Sequence, residues 1–329
     1  MMKRAFGLLS IIFLFGCSKD SFIETAPPTV TESEDAITWR IDHNLWIYAQ
    51  MKENYFWYDE MPDSSSLDFT QEPSVFFESL KSKQDRFSWC EINQRYQATR
   101  GTNLSETVSL DTVYTINGYK IGYIVYKQFE ESSDVIQIML KMQNEKISDF
   151  ILDLRDNPGG YVSTCNYLAS FLVPKEYLGG LFQQQRYNSK YTMLRRSMYG
   201  DEGIDSVYLN NNKTTRRYNL DLKRIFVFIS SNSASSSEAL IIGLRPYMEV
   251  ITIGETSVGK DVGSYTIANN KYKYQLQPIT FRYYNAVGDS TPVTGILPII
   301  PVKTQSVYKK GDTNDPCLQA AFNYINPKP

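Results

Sequence analysis

Apolar positions in the middle of the chain alternate between short continuous runs and longer stretches of helical period. Residues 119–126 (YKIGYIVY) alternate as a strand does, and 134–146 carries the spacing of an amphipathic helix. Residues 149–154 are an apolar strand leading into Gly159-Gly160, and 163–172 is the helix after it. The order then repeats. Residues 225–229 are a buried strand bounded by serines, and 230–237 is small and polar. Residues 238–247 are helical and apolar almost all round, ending at Pro246, and 249–254 is a second buried strand. Strand–helix–strand units of this length build a parallel sheet, so the pattern predicts an α/β core. Ser235 falls where a helix begins, at the carboxyl end of one strand, and Lys260 just past the end of the next. The carboxyl ends of parallel strands are where such sheets hold ligands.

On the amino-terminal side, Ile41, Leu45, Tyr48 and Met51 recur at helical spacing within a helix predicted over 39–58, which closes on the aromatic cluster 54–58. A loop over 62–67, a short helix over 73–81 and the segment 85–89 complete a small helical region. Residues 174–219 show no clear periodicity; a connection of that length is expected either to shape a groove or to form a surface hairpin. Residues 272–284 read as strands and 316–325 as a closing helix.

The first residues read differently. Lys3-Arg4, the apolar stretch 5–15 and Gly16-Cys17 form a secretory signal over 1–16, too short to span a membrane as a mature helix. Leu14-Phe15-Gly16-Cys17 resembles a bacterial lipobox. The resemblance implies lipidation of Cys17 and membrane attachment through that lipid, and Ser18 in place of Asp implies the outer membrane. Residues 17–37, polar and with Pro27-Pro28, are expected to be a flexible tether. The expected organisation is signal 1–16, tether 17–37, amino-terminal helical domain and linker 38–108, and an α/β core 109–329.

Composition narrows the chemistry. Of 329 residues, 42% are hydrophobic and 14% aromatic, enough for a sizeable core. The formal charge of −2 and the lack of a basic stripe argue against a nucleic-acid partner. The chain has one histidine, His43, in what reads as a surface helix far from Ser235. That excludes a histidine-rich metal site and leaves a Ser-His-Asp triad without a nearby base. Beyond Cys17 there remain Cys90, Cys165 and Cys317. Cys165 sits in a predicted core helix as a small hydrophobe, and the sequence assigns no disulfide pair.

Ser235-Ser236-Ser237-Glu238 is first of all a capping box. A serine at a helix start also lies beside free amides and the positive end of a dipole, which can stabilise an oxyanion. With no histidine at hand, the base for such a nucleophile is a lysine whose pKa burial has lowered. Lys260, with Ile253, Val258 and Val262 close in sequence, is the candidate.

Three ordered segments carry a family resemblance: 150–160 (FILDLRDNPGG), Ser233-Ala234-Ser235-Ser236-Ser237-Glu238, and Gly254-Glu255-Thr256-Ser257-Val258-Gly259-Lys260, with Ser235 and Lys260 25 residues apart. Together they resemble the tail-specific, or C-terminal processing, serine peptidases. The resemblance implies a crotonase-like (Clp-protease-like) spiral core with parallel βαβ units, acting on a protein or peptide substrate with no metal or cofactor. It implies Ser235 as nucleophile, Lys260 as general base, and an oxyanion hole from the backbone N–H groups of Ser236 and of Gly159 or Gly160. The chain departs from the family in three places. Ser264 stands where relatives often carry a lysine-orienting Gln, Ile299 replaces an acid, and the roughly 30 residues before position 119 are too few for a PDZ domain of ordinary size. These departures point to a second reading, a catalytically inactive protein binding peptides or apolar ligands on the same fold. Ser257-Val258-Gly259-Lys260 also spells the S-x-x-K of penicillin-binding enzymes, but neither partner motif accompanies it.

Overall fold

The computed structural model describes residues 33–92, 107–130, 134–199, 204–304 and 307–326. The signal and residues 17–32 of the expected tether, Cys17 among them, lie outside the described residues. In chain order, α1 (Glu34–Asn54) and α2 (Pro73–Ser79) lead to β1 (Trp89–Ile92). A hairpin of β2 (Val108–Ile116) and β3 (Tyr119–Tyr126) precedes α3 (Asp134–Glu145), β4 (Asp149–Asp153) and α4 (Val162–Leu172). Next come β5 (Leu181–Tyr187), α5 (Ser189–Tyr199), β6 (Ile204–Tyr208) and α6 (Lys213–Tyr218). Then follow β7 (Arg224–Ile229), α7 (Ser236–Leu244), β8 (Glu249–Gly254), β9 (Val262–Ser264), β10 (Ile267–Asn269), β11 (Tyr274–Gln277), β12 (Ile279–Tyr284), β13 (Ile300–Pro301) and α8 (Pro316–Ile325).

The predicted α/β core is present as a six-stranded sheet in the order β13-β8-β7-β4-β3-β2, parallel except for the β2–β3 hairpin. Its central strands are apolar throughout because both faces are covered. Phe150, Leu152, Ile225 and Val227 meet α3, α4 and α7 on one side. Ile151, Phe226, Phe228, Ile251 and Ile253 meet Leu318, Ala321, Phe322 and Ile325 of α8 on the other. Arg155, just beyond β4, binds Asp153 and Asp315, the latter capping the start of α8, at 2.6 and 2.7 Å. All three are buried, so the sheet end and the last helix are joined by charge as well as packing.

Residues 174–219 are neither loop nor simple hairpin. They form β5, α5, β6 and α6, and β5 and β6 join β12 and β9 in an antiparallel sheet ordered β6-β5-β12-β9. Phe182 of β5 sits on α7, where a Cβ on Gly243 would lie 2.3 Å from its ring, so glycine is what admits the sheet to the helix.

The amino-terminal region is helical as expected, with α1 starting at Glu34 behind its cap Ser33, so that 34–37 of the expected tether are helix. It also contributes β1, which pairs with β11 in a sheet with β10. α1 is less a surface helix than its pattern suggests. His43 is fully buried, stacked on Tyr272 at 4.7 Å and edge-on to Tyr274 at 4.1 Å, with neither ring nitrogen bonded. Burial pulls its pKa from 6.5 down to about 4, against the pull of Asp42. The unfolded chain therefore takes up this proton at higher pH than the folded one. The stability that depends on neutral His43 is whole above pH 6.5 and is lost as pH falls towards about 4. As the chain has a single histidine, one imidazole NMR signal reads this directly; titration of that signal near pH 6.5 in the folded protein would contradict it.

Candidate active site

The turn between β7 and α7 is held by its serines. Ser233 Oγ donates to Leu154 O (2.8 Å) and accepts from the Ser230 N–H (2.9 Å). Ser237 Oγ and the Ala234 N–H both donate to Asn157 O, at 2.9 and 3.2 Å. Ser236 Oγ donates to Gly160 O (2.7 Å). Three serines of the motif and the Ala234 amide thus bind the turn after β4 to the turn after β7.

Ser235 occupies the sharp corner with φ 56° and ψ −116°, a conformation that costs a non-glycine residue about 1–3 kcal/mol and is kept only where the surroundings enforce it. Gly159 presses against it: a Cβ there would lie 2.8 Å from Ser235 Cβ and 3.0 Å from Ser236 N, and its φ is +111°. Only glycine fits. The buried Asn157 orders this second turn, its Nδ2 donating to Tyr126 O (2.9 Å) and its Oδ1 accepting from the Gly159 N–H (2.8 Å). The Gly159 amide is therefore committed. Among the described residues the amides of Gly160 and Ser236 have no protein partner.

Glu238 ties the two halves of the site together. Read from sequence only as the far side of a capping box, it is fully buried in a helix that is buried all along its length. Its Oε2 accepts from the N–H groups of Ser235 (2.9 Å) and Lys260 (2.8 Å), and its Oε1 from the Gly259 N–H (2.7 Å) and the Ser257 hydroxyl. One carboxylate oxygen thus carries the backbones of both candidate residues. On the other side the buried Tyr283 hydroxyl donates to Lys260 O (2.7 Å), with Thr291 Oγ1 at 3.0 Å. The sequence signal for Glu238 was an acid at the head of a helix apolar almost all round, which demands partners once buried; Tyr283 left no such signal.

The Lys260 side chain is half-buried, and its ammonium lies 5.2 Å from the centre of the Phe87 ring. Burial lowers its pKa, while the charges of Glu238 and Asp85 work to raise it. No hydrogen bond joins Ser235 Oγ to Lys260 Nζ among the described residues. Ser264 lies on β9 opposite Ile279 and makes no hydrogen bond to the lysine. Ile299 leaves its side chain exposed. Cys90, Cys165 and Cys317 are free thiols. Burial pushes those of Cys90 and Cys317 up to about 12 and about 11, and raises that of Cys165, which donates to Ser236 O at 3.2 Å. Neutral thiols of this kind are poor nucleophiles.

Residues 120–302 match the model of Peptidase family S41, and residues 42–89 match that of the Peptidase S41 N-terminal domain. The carboxy-terminal processing protease CtpB of Bacillus subtilis is 22% identical over 213 residues, covering 62% of this chain and 39% of that protein. The carboxy-terminal-processing protease of Bartonella bacilliformis is 29% identical over 197 residues, covering 58% and 40%. The chain thus spans about two-fifths of the length of these relatives. Among solved structures, a candidate S41 protease from Bacteroides fragilis shares the fold with a TM-score of 0.73 at 20% identity, over 85% of this chain and 96% of the other. A lipoprotein from Streptococcus agalactiae does so with a TM-score of 0.55 at 15% identity, over 87% and 96%.

Proposed function

The chain belongs to peptidase family S41, and from that footing we propose that it is a serine endopeptidase working by a Ser235–Lys260 dyad. The observation that supports this most is the shared grip of Glu238 Oε2 on the amides of both residues, which fixes nucleophile and base to one buried point. Ser235 Oγ attacks the peptide carbonyl carbon while neutral Lys260 takes its proton. The oxyanion is held by the open amides of Ser236 and Gly160. Collapse expels the amine, which takes the proton back from Lys260, and water then releases the acyl group by the same route. The reaction needs a neutral lysine, and the lowered Lys260 pKa favours one. The Ser235–Lys260 hydrogen bond forms as substrate seats, since such contacts often tighten only in the complex.

By the same reading residues 1–16 are a signal, Cys17 carries a lipid at the head of a tether, and the protein acts from the outer membrane on protein or peptide substrates. One protein of the same fold is itself a lipoprotein. The absent Ser235–Lys260 bond and the disengaged Ser264 favour a second reading, a protein that binds peptides or apolar ligands without cleaving them. A fluorophosphonate probe separates the two. The dyad predicts covalent labelling that mass spectrometry places on Ser235 and that accelerates between pH 6 and 10. A purified, folded protein that stays unlabelled throughout that range would sink the peptidase reading and leave the binding one.

A further inference from the structure

Lys260 is bordered by the core on three sides. Glu238 faces it from α7; Asp261, ion-paired with Arg282 of β12 at 2.8 Å, follows it in the chain; and Tyr283 holds its carbonyl. The fourth side comes from elsewhere. Residues 85–88, between α2 and β1, form a turn in which Asp85 Oδ1 accepts from the N–H groups of Phe87 and Ser88, each at 2.9 Å. Asp85 Oδ2 accepts from the hydroxyl of the fully buried Tyr55 (2.8 Å), and Ser88 Oγ accepts from the Ile279 N–H (2.8 Å) at the start of β12. Arg86 reaches out of this turn to Gly259 O at 2.6 Å and Val293 O at 3.2 Å. Its guanidinium lies 4.7 Å from the Phe87 ring centre, and the Lys260 ammonium lies 5.2 Å from it.

We infer that turn 85–88 of the amino-terminal region is a wall of the active site, in which Phe87 positions Lys260 and keeps water from its amine while Arg86 locks the turn to the lysine loop. The inference rests on the dyad reading for its bearing on catalysis, but the wall itself is a matter of contacts. An aromatic face attracts the ammonium, yet the same ring displaces its hydration, and burial is the dominant influence on this amine. The ring also limits the directions in which the long lysine side chain can point, so that less entropy is lost when it turns to the serine. Phe87 is thus a positioning residue. By this account the Peptidase S41 N-terminal domain is a working part of the site, and a core freed of it would carry an over-hydrated base.

The test reads the lysine without relying on the serine. The full chain is acetylated with trace acetic anhydride at a series of pH values, and the fraction modified at Lys260 is followed by mass spectrometry. Phe87→Ala is expected to move the titration midpoint of Lys260 upward by about one pH unit and to raise its reactivity at high pH. Arg86→Ala, which frees the turn but removes no packed ring, is expected to move it the same way by less. Phe87→Leu, which keeps apolar bulk, is expected to stay near the wild-type midpoint. Fluorophosphonate reaction of Ser235 in Phe87→Ala should be depressed below the new midpoint and recover above it. An unchanged Lys260 midpoint in both Phe87→Ala and Arg86→Ala overturns the inference, as does a Phe87→Ala protein that has lost Ser235 reactivity evenly at every pH. If the midpoint shifts as expected but Lys260→Ala reacts with fluorophosphonate as wild type does, the wall stands and the dyad falls.

Discussion

Lys260→Ala should react with a fluorophosphonate, and with any peptide substrate, about 10³-fold more slowly than the wild type, which is the usual reach of a positioned general base. Its melting temperature should hardly move. The lysine backbone is held through its N–H by Glu238 and through its carbonyl by Tyr283, and alanine keeps both groups. Among the described residues the amine itself takes part in no hydrogen bond whose loss would be felt. The pH dependence adds a sign. On the dyad reading the wild-type rate should climb as Lys260 gives up its proton, a step that burial places below the ordinary 10.5; in Lys260→Ala this rise should vanish. Lys260→Arg should be as slow as the alanine variant, because a guanidinium stays charged across the whole range. A variant that keeps both the rate and the rise would mean that some other group takes the serine proton.

The second large effect is at Glu238. Glu238→Ala leaves the N–H groups of Ser235, Gly259 and Lys260 and the Ser257 hydroxyl without their acceptor, those of Gly259 and Ser257 buried and those of Ser235 and Lys260 partly so. Each stranded buried donor costs about 1–3 kcal/mol, so the loss of four bonds should amount to several such contributions. Glu238→Gln preserves shape but turns an amide towards donors that need an acceptor, and should cost about half as much. Both should fail to react at Ser235 even under conditions where they are folded, because the corner of Ser235 and the lysine loop are no longer pinned together. Denaturant unfolding beside probe labelling distinguishes this from a simple cap, whose removal costs only about 1 kcal/mol. A loss of that size with reactivity intact would reduce Glu238 to the capping residue that the local sequence suggests.

That contrast shows where local pattern stops. The strands β4, β7 and β8 were legible because burial on both faces leaves an unbroken apolar run, and α7 because small polar residues precede an apolar helix. α5, β5 and β6 were not. The strand LFQQQRY is polar on its face, and what makes it a strand is pairing with Tyr187↔Phe281 and its neighbours, almost a hundred residues on. β9 and β10 are three residues each, below any periodicity. The β2–β3 hairpin did leave a signal: Asn117-Gly118, both at positive φ, lies between two alternating runs. At the site, Ser235, Lys260 and the glycine pair are visible as a motif, and Glu238 is visible but undervalued. Phe87 is invisible, since it meets Lys260 only through the fold, with Arg86 and Gly259 173 residues apart.

The two-sided covering of the central sheet also sets a clock. One face is closed by α3, α4 and α7, all built from the stretch that forms the sheet, whereas the other waits for α8, the last helix among the described residues. Until α8 packs, Phe226, Phe228 and Ile253 face water and Arg155 lacks Asp315, although Ser235 and Lys260 both precede that helix in the chain. A half-covered sheet buries less apolar surface with which to offset the strained corner at Ser235. On the dyad reading, a copy that lacks α8 should therefore react poorly at Ser235 even though it carries both Ser235 and Lys260.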